Sequence, residues 1–382
     1  MMEFNEELEM LQKTVRSFVE NEIAPIAEEM DKTDKFPEGM WRKLGDLGVL
    51  GITVDEKYGG TGLGPIEQAI VINEIAKYSA AIAMSYVAHS NLCVDCLYHN
   101  GNEEQKKKYL PGLNTGELIG ALGLTEPGAG SDAVGITTSA RREGDYYILN
   151  GTKMFITNGP VADVMIVYAK TDKDKGAHGI TAFLVERGFE GFSVSKEIEK
   201  MGNRGSSTGE LIFDDCKVPV ENVLGEVNKG IKVMMSGLDI ERAVVAALAL
   251  GIGEGAFREA LKYAQERSQF GKTLSNFQLI QAKLADMYTN LEAARLLTFD
   301  VLREAEKGRR ITKKAAAAVL FSAETATKVA LDALQIHGGY GYTLEYPINR
   351  YVRDAKLFEI GAGTSEVRRL IVARELLGIR TF

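Results

Sequence analysis

The stretch DYYILNGTKMFITNG (residues 145–159) decides the fold class of this chain. It consists of short β-branched and aromatic runs separated by glycine and asparagine, a pattern typical of β-strands. Four similar runs follow it: ADVMIVYAKT (162–171), HGITAFLVE (178–186), GFSVSKEIE (191–199) and STGELIFDDCKVP (207–219). We therefore predict a compact β domain from about Glu117 to Glu226, a barrel or sandwich of about seven or eight strands.

The sequence on both sides of this β domain is helical. Before it, EELEMLQKTVRSFVENEIAPIAEEMD (6–31) repeats apolar residues at three- and four-residue spacing. After it, long apolar-periodic runs end at glycine or begin near Ser, Thr or Asn, which predicts a four-helix bundle. We therefore predict an α+β protein of three domains: an N-terminal helical domain (1–116), the β domain (117–226) and the C-terminal bundle (227–382). Ligands favour the crevice where such domains meet.

Composition excludes several classes of function. The 382 residues are 45% hydrophobic and carry a net charge of −8, which argues against a nucleic-acid partner. Four scattered histidines show no ligand spacing, so we expect no metal site. Cys93 and Cys96 form C-x-x-C, but the sequence around them is helical, which favours packing cysteines over a redox pair.

No apolar run approaches a membrane span. The acidic, helical N-terminus resembles neither a signal nor a transit peptide, so we expect a cytoplasmic protein.

Four segments are candidates for binding a flat, phosphate-bearing ligand. GLTEPGAGSDAVG (123–135) is a glycine loop with free backbone amides, although a polar turn would look the same. KMFITNG (153–159) places Phe155 and Thr157 on one side of a strand by period two, with core packing as the alternative. ERSQFGKTLSNFQ (266–278) and QIHGGYGYTLEYPINRYVRDAK (335–356) add cations, amides and further glycines. Each segment alone is a weak signal.

Together, these segments resemble the acyl-CoA dehydrogenase family along essentially the whole chain. Both family signatures are present, GLTEPGAGSDAVG and QIHGGYGYTLEYPINRYVRD. The resemblance implies FAD, an acyl-CoA thioester substrate, electron-transferring flavoprotein as electron acceptor, and a helical–β–helical subunit that forms a homotetramer. The family branch that matches best is that of the isovaleryl-CoA dehydrogenases, which act in fatty acid and amino acid catabolism.

The resemblance also implies a set of FAD contacts. In the family, residues at the positions of Phe155, Ile156 and Thr157 lie against the flavin ring, and those at Gln335 and Gly339 reach the FAD of a neighbouring subunit. The complete set is Leu122, Leu124, Thr125, Gly130, Ser131, Phe155, Ile156, Thr157, Arg267, Phe270, Gln278, Gln335, Gly338, Gly339, Thr364 and Glu366.

The catalytic base is the main departure from the common family pattern. Most members remove the α-proton with a glutamate immediately before a Gly-Thr pair, and Ala362 occupies that position here. The isovaleryl-CoA branch instead uses a glutamate followed by arginine on a helix, which SGLDIERAV (236–244) supplies as Glu241. The same branch carries EIGAGTSEVRR, found here at 359–369. A helix-dipole role is the alternative for Glu241.

The vacant position predicts the shape of the acyl pocket. With Gly361 and Ala362 in place of bulkier residues, a branch at C3 of the acyl group would fit. The resemblance implies substrate contacts at Ser131, Asp239, Arg242, Val245, Gly361, Ala362 and Gly363. Asp95 is a further candidate, either as a second base for an alicyclic or unsaturated substrate or as a structural partner within the helices. A straight short-chain or alicyclic acyl-CoA, or a non-catalytic flavoprotein, remain the alternatives.

Overall fold

The predicted three-part architecture is confirmed by a computed structural model, which describes residues 5–379. The boundaries drawn at residues 116 and 226 stay predictions. The N-terminal helices are α1 (Glu6–Phe18), α2 (Ala27–Thr33), α3 (Met40–Asp46), α4 (Pro65–Ala76), α5 (Ala80–Tyr86), α6 (Cys96–Asn100) and α7 (Glu103–Asn114). π-Helical turns lie at Val19–Ile23 and Val87–Asp95.

The middle domain contains one sheet of eight strands. They are β1 (Gly120–Gly123), β2 (Ser139–Glu143), β3 (Tyr146–Thr157), β4 (Val164–Lys170), β5 (Ile180–Glu186), β6 (Phe192–Glu197), β7 (Thr208–Pro219) and β8 (Val223–Leu224). The order is β6-β7-β3-β2-β4-β5-β8, with β1 parallel to β4. Within residues 5–379, β6 pairs only with β7 and β8 only with β5, so the sheet does not close into a hydrogen-bonded barrel.

Both faces of the central strand β4 are buried. Val164, Ile166 and Tyr168 point to one face and pack in a cluster that includes Cys93 of the N-terminal helices. The alternate residues Met165, Val167 and Ala169 fill the core on the opposite face. Burial on both faces explains why VMIVYA (164–169) does not alternate between apolar and polar residues.

The C-terminal domain is the predicted helical bundle. Its elements are α8 (Gly230–Glu266), a short hairpin of β9 (Ser268–Gln269) and β10 (Lys272–Thr273), α9 (Gln278–Glu306), α10 (Thr312–His337), α11 (Ile348–Lys356) and α12 (Ser365–Leu377). Helix α8 also packs closely on α4. A Cβ atom at Gly251 would lie 2.5 Å from the carbonyl oxygen of Asn73, so only glycine allows this approach.

Polar contacts fix the middle domain against both helical domains. The backbone N–H of Asn203 donates to Oδ1 of the buried Asp354 on α11 at 2.5 Å. Arg204 Nε donates to the carbonyl oxygen of Asp31 on α2 at 2.7 Å. Arg353 closes the set with a bidentate ion pair to the Asp31 carboxylate. One loop of the β domain is therefore held by a helix from each neighbouring domain.

Within the described chain, no helix combines the length and the apolar character needed to cross a membrane.

Candidate active site

Glu241 lies in the interior of α8, about three turns after its start, and is only partly accessible to solvent. Its surroundings raise its pKa to about 7 because burial disfavours the charged form, and this effect outweighs the lowering by Arg242 and Arg368. No residue in the range 5–379 donates a hydrogen bond to its carboxylate. Glu241 is thus a carboxylate of raised pKa with free acceptor positions.

Glu241 stands at the junction of the β domain and the bundle. On the β-domain side is Tyr168 of β4, a buried phenol whose pKa is raised well above its usual value by burial, by Cys96 and by the charge of Glu241. On the bundle side is Arg368 of α12, whose pKa is lowered to about 10, chiefly by burial. The predicted base therefore lies where the β domain and the bundle meet.

Arg368 organises the turn that follows α11. Its side chain is fully buried and donates from Nη1 to the carbonyl oxygen of Phe358 at 2.6 Å and from Nη2 to that of Gly361 at 2.8 Å. Its Nε is buried without a partner. Ala362 follows in the left-handed region, with φ of 52°, and is exposed. The turn carrying Gly361, Ala362 and Gly363 is therefore fixed by an arginine that also acts electrostatically on Glu241.

The other predicted substrate residues of α8 differ in their surroundings. Asp239 pairs with Arg242 at 3.0 Å and accepts a hydrogen bond from Thr312 Oγ1 at 2.5 Å, which ties α8 to the start of α10. Asp239 and Arg242 both remain partly accessible to a ligand. Val245 is 2% exposed and packs in the helical core, so it does not face the crevice as an open contact.

The strand segment predicted to lie against the flavin contains a bulge. Pairing between β3 and β7 shifts register between Lys153 and Ile156, and Phe155 adopts φ of 61°. The simple period-two argument for Phe155 and Thr157 therefore does not apply across this bulge. The bulge leaves the Phe155 ring 64% exposed, whereas Ile156 is 3% exposed and packs in the sheet core. Strained backbone and an exposed ring together are a recurring feature of ligand sites.

The glycine loop lies beside this strand. The backbone N–H of Met154 donates to the carbonyl oxygen of Thr125 at 2.8 Å, next to Phe155. Leu122 and Leu124 are partly buried, while Gly130 and Ser131 are exposed. An exposed aromatic ring next to a loop with exposed backbone fits a flat heterocycle with a phosphate tail, so these residues fit FAD.

The residues predicted on the adenine side form a separate cluster at the far end of the bundle. The Arg267 guanidinium lies 5.4 Å from the ring centre of Tyr340, which brings it beside the turn after α10. Phe270 is 92% exposed. The exposed members of this cluster are Arg267, Phe270, Gln278, Gln335, Gly338 and Gly339. Since Arg267 is the C-cap of α8, 26 residues after Glu241, this cluster is roughly 39 Å from the base along the helix.

Thr364 and Glu366 have local roles at the start of α12. Thr364 Oγ1 accepts from the N–H of Val367 at 3.2 Å, which makes Thr364 the N-cap of that helix. Glu366 is exposed in the first turn, where a negative charge is favoured by the helix dipole.

Asp95 has the environment of a structural residue. It is buried, and its carboxylate accepts hydrogen bonds from Thr53, from Gln68 Nε2 at 3.2 Å and from Asn91 Nδ2 at 3.2 Å. Burial raises its pKa to about 6 against the lowering effect of these three donors. All three donors belong to the N-terminal helical domain. These contacts favour the structural role over that of a second base.

Two features of the site were missed at the level of sequence. Arg368 is one of two adjacent arginines at the start of a helix, and local sequence does not show which one is buried. Period two places Lys153 on the same side of β3 as Phe155 and Thr157, yet Lys153 is fully buried and paired with Glu126, a partner that periodicity does not identify. Among the described residues, no cluster of His, Cys, Asp or Glu could hold a metal ion.

Comparison with known proteins gives a family match for each of the three parts of the chain. Three family models match the chain: acyl-CoA dehydrogenase N-terminal domain at 5–117, middle domain at 121–216 and C-terminal domain at 228–377. The mitochondrial isovaleryl-CoA dehydrogenase of Pongo abelii is 51% identical over 374 residues, covering 97% of this chain and 88% of that protein.

Two solved structures are similar over nearly their whole length. Butyryl-CoA dehydrogenase from Megasphaera elsdenii superimposes with a TM-score of 0.96 at 44% identity, covering 98% of this chain and 100% of that chain. A chain solved in work on the electron transferring flavoprotein of Acidaminococcus fermentans gives a TM-score of 0.97 at 44% identity, covering 99% of each chain.

Proposed function

Because the chain belongs to the acyl-CoA dehydrogenase family, whose members use FAD to oxidise CH–CH bonds of acyl-CoA thioesters, we propose that it dehydrogenates a short, branched acyl-CoA such as isovaleryl-CoA. The product is the 2-enoyl-CoA. The observation that carries this proposal is the pairing of Glu241, a partner-free carboxylate with a pKa of about 7, with Ala362 at the position where most of the family has its base.

In this proposal Glu241 removes the α-proton. A base with a pKa near 7 is substantially ionised at neutral pH and still accepts a proton readily, which is the range that suits general-base catalysis. Burial raises the pKa to this value, while Arg242 and Arg368 prevent it from rising further. FAD, when bound, supplies the ring that accepts hydride from the β-carbon. Phe155, Thr157 and the glycine loop would hold that ring beside the base.

The choice of a branched acyl group rests on the turn at 361–363. Gly361 has no side chain, Ala362 has a single methyl group, and Arg368 holds the backbone in place through the Gly361 carbonyl. Space at this turn would accommodate a methyl branch at C3. The similarity to the Megasphaera elsdenii butyryl-CoA dehydrogenase makes a straight short-chain substrate the second candidate.

We further propose that the adenine half of FAD is bound between subunits of a homotetramer. Arg267, Phe270, Gln335 and Gly339 cluster roughly 39 Å along α8 from Glu241, too far for one FAD to reach both places within one chain. Their exposure makes them available to the FAD of a neighbouring subunit. The electron acceptor in this proposal is an electron-transferring flavoprotein, in keeping with the Acidaminococcus fermentans similarity.

Anaerobic bleaching of the flavin by a panel of acyl-CoA thioesters tests the proposal. Isovaleryl-CoA should bleach the purified yellow protein faster than butyryl-CoA or an alicyclic carboxyl-CoA. Faster bleaching by butyryl-CoA would support the straight-chain candidate. If no thioester bleached a fully flavin-loaded protein, the proposed dehydrogenase activity would be wrong.

A further inference from the structure

Glu126 and Lys153 form an ion pair in the interior of the β domain. Lys153 is fully buried on β3, Glu126 is 4% exposed in the glycine loop, and Lys153 Nζ lies 2.8 Å from Glu126 Oε1. Removing two charges from water is costly and is not, as a rule, compensated by their attraction alone. The pair therefore calls for an explanation beyond stability.

The two charges join the two sequence motifs predicted to hold the flavin. Glu126 belongs to GLTEPGAGSDAVG, and Lys153 is the first residue of KMFITNG. Besides the ion pair, Lys153 Nζ donates to the carbonyl oxygen of Leu124 at 3.0 Å. The Lys153 ammonium group therefore contacts the loop at two points, the Leu124 carbonyl oxygen and the Glu126 carboxylate, on either side of Thr125.

The carboxylate of Glu126 fixes the other end of the loop. Its Oε2 accepts from the backbone N–H of Thr137 at 2.6 Å and from Thr137 Oγ1 at 2.8 Å. Its Oε1 accepts from the backbone N–H of Thr138 at 3.0 Å as well as from Lys153. Both oxygens are saturated, so the side chain ties the start of the loop to Thr137 and Thr138, just after its end.

The pair also lies next to the strained bulge. Lys153 is two residues before Phe155, and the register shift against β7 begins at Lys153. The N–H of Met154 donates to the carbonyl oxygen of Thr125 between these two points. The conformation of the strand at Phe155 and that of the loop at Thr125 are thus fixed by the same cluster of contacts.

We infer that Glu126 and Lys153 are positioning residues for the cofactor, which set the loop against the strand and thereby preorganise the FAD site. This inference rests on the proposed placement of the flavin ring at Phe155, Thr157 and the loop. The loop is held by hydrogen bonds to its backbone carbonyl and N–H groups. These bonds fix the orientation of the loop, which attraction between two charges alone would not do.

The test compares FAD affinity with thermal stability in Lys153→Met, Glu126→Gln and the double variant. Each single change leaves a buried charge without its opposite charge and should lower both properties. The double change removes both charges, so thermal stability should recover relative to the single variants. FAD affinity should stay about 10- to 100-fold weaker than in the parent, the size of loss that follows when residues orienting metal ligands are replaced.

Two further variants separate positioning from general damage. Glu74→Gln removes another buried carboxylate, paired with Arg16 and Lys77 within the helices, and should lower the unfolding temperature without changing FAD affinity. Thr157→Val marks the proposed flavin contact and should change the visible circular dichroism of bound FAD.

FAD dissociation constants and the visible circular dichroism of the reconstituted holoenzyme decide the outcome. If the double variant bound FAD as tightly as the parent while Thr157→Val changed the flavin signal, the inference would be wrong and the proposed flavin site would stand. Unchanged flavin signals in all of these variants would overturn both the inference and the placement of the flavin. FAD loss in Glu74→Gln equal to that in Lys153→Met would show that the pair acts only through general stability, and the inference would be wrong.

Discussion

Replacement of Glu241 by glutamine removes the proposed base while keeping its shape. The amide cannot accept the α-proton, so reduction of the flavin by substrate should slow by about 10² to 10⁴, the usual effect of losing a general base. The raised pKa gives the parent enzyme a second signature. Because Glu241 must be ionised to act, the reduction rate should fall about tenfold per pH unit below its pKa of about 7.

The same carboxyl group should make the parent less stable than the variant at high pH. Its pKa is about 7 when folded and 4.5 as an ordinary glutamate, so the folded state binds the proton more tightly. Ionisation therefore destabilises the fold progressively between pH 4.5 and 7, by up to about 3 kcal/mol. Glu241→Gln has no such ionisation, and its unfolding temperature should exceed that of the parent increasingly across this window.

Rapid mixing with isovaleryl-CoA under anaerobic conditions measures the first effect, and thermal unfolding of the holoenzyme at pH 5 and pH 8 measures the second. Asp95→Asn is the matched control, since Asp95 is the other buried carboxylate that the sequence offered as a base. It should leave the pH dependence of reduction unchanged. Near-parent reduction in Glu241→Gln, together with loss of reduction in Asp95→Asn, would refute the assignment of the base.

Four other predictions concern the surroundings of the base and the fold. Arg368→Met removes a charge that lowers the pKa of Glu241, so half-maximal reduction should move above pH 7; an unmoved midpoint would contradict this role. Gly361→Tyr should suppress isovaleryl-CoA turnover more than butyryl-CoA turnover, because the added ring would occupy the proposed branch site, and equal losses would argue against that site. If positions 241 and 362 reach the same α-carbon, combining Glu241→Gly with Ala362→Glu should recover part of the flavin reduction lost in Glu241→Gly alone. The substrate preference should shift toward straight acyl groups. Burial lowers the pKa of His89 to about 4, so His89 becomes protonated at higher pH in the unfolded chain than in the folded protein. The stability of the parent should therefore fall by about 2 kcal/mol between pH 6.5 and 5. His89→Gln should abolish this part of the pH dependence, which unfolding at the two pH values measures.

Local sequence was sufficient for the order of the domains. The change from a three- and four-residue period to short β-branched runs marks the β domain, because side chains repeat differently along helices and strands. Resemblance to the family also led to Glu241, since Ala362 at the family's usual base position and the glutamate–arginine pair are both visible without a structure. Its role as the base stays a prediction.

Tertiary structure decided how those residues act. The pKa of Glu241 follows from burial between β4 and α12, and neither neighbour is close to it in sequence. The bulge at Phe155 depends on register against β7, more than 50 residues later in the chain. Likewise, Lys153 meets Glu126 only after strand β3 and the glycine loop have packed together. Periodicity reports which face of an element is buried, whereas the partner that a buried charge finds depends on chain segments that local sequence cannot bring together.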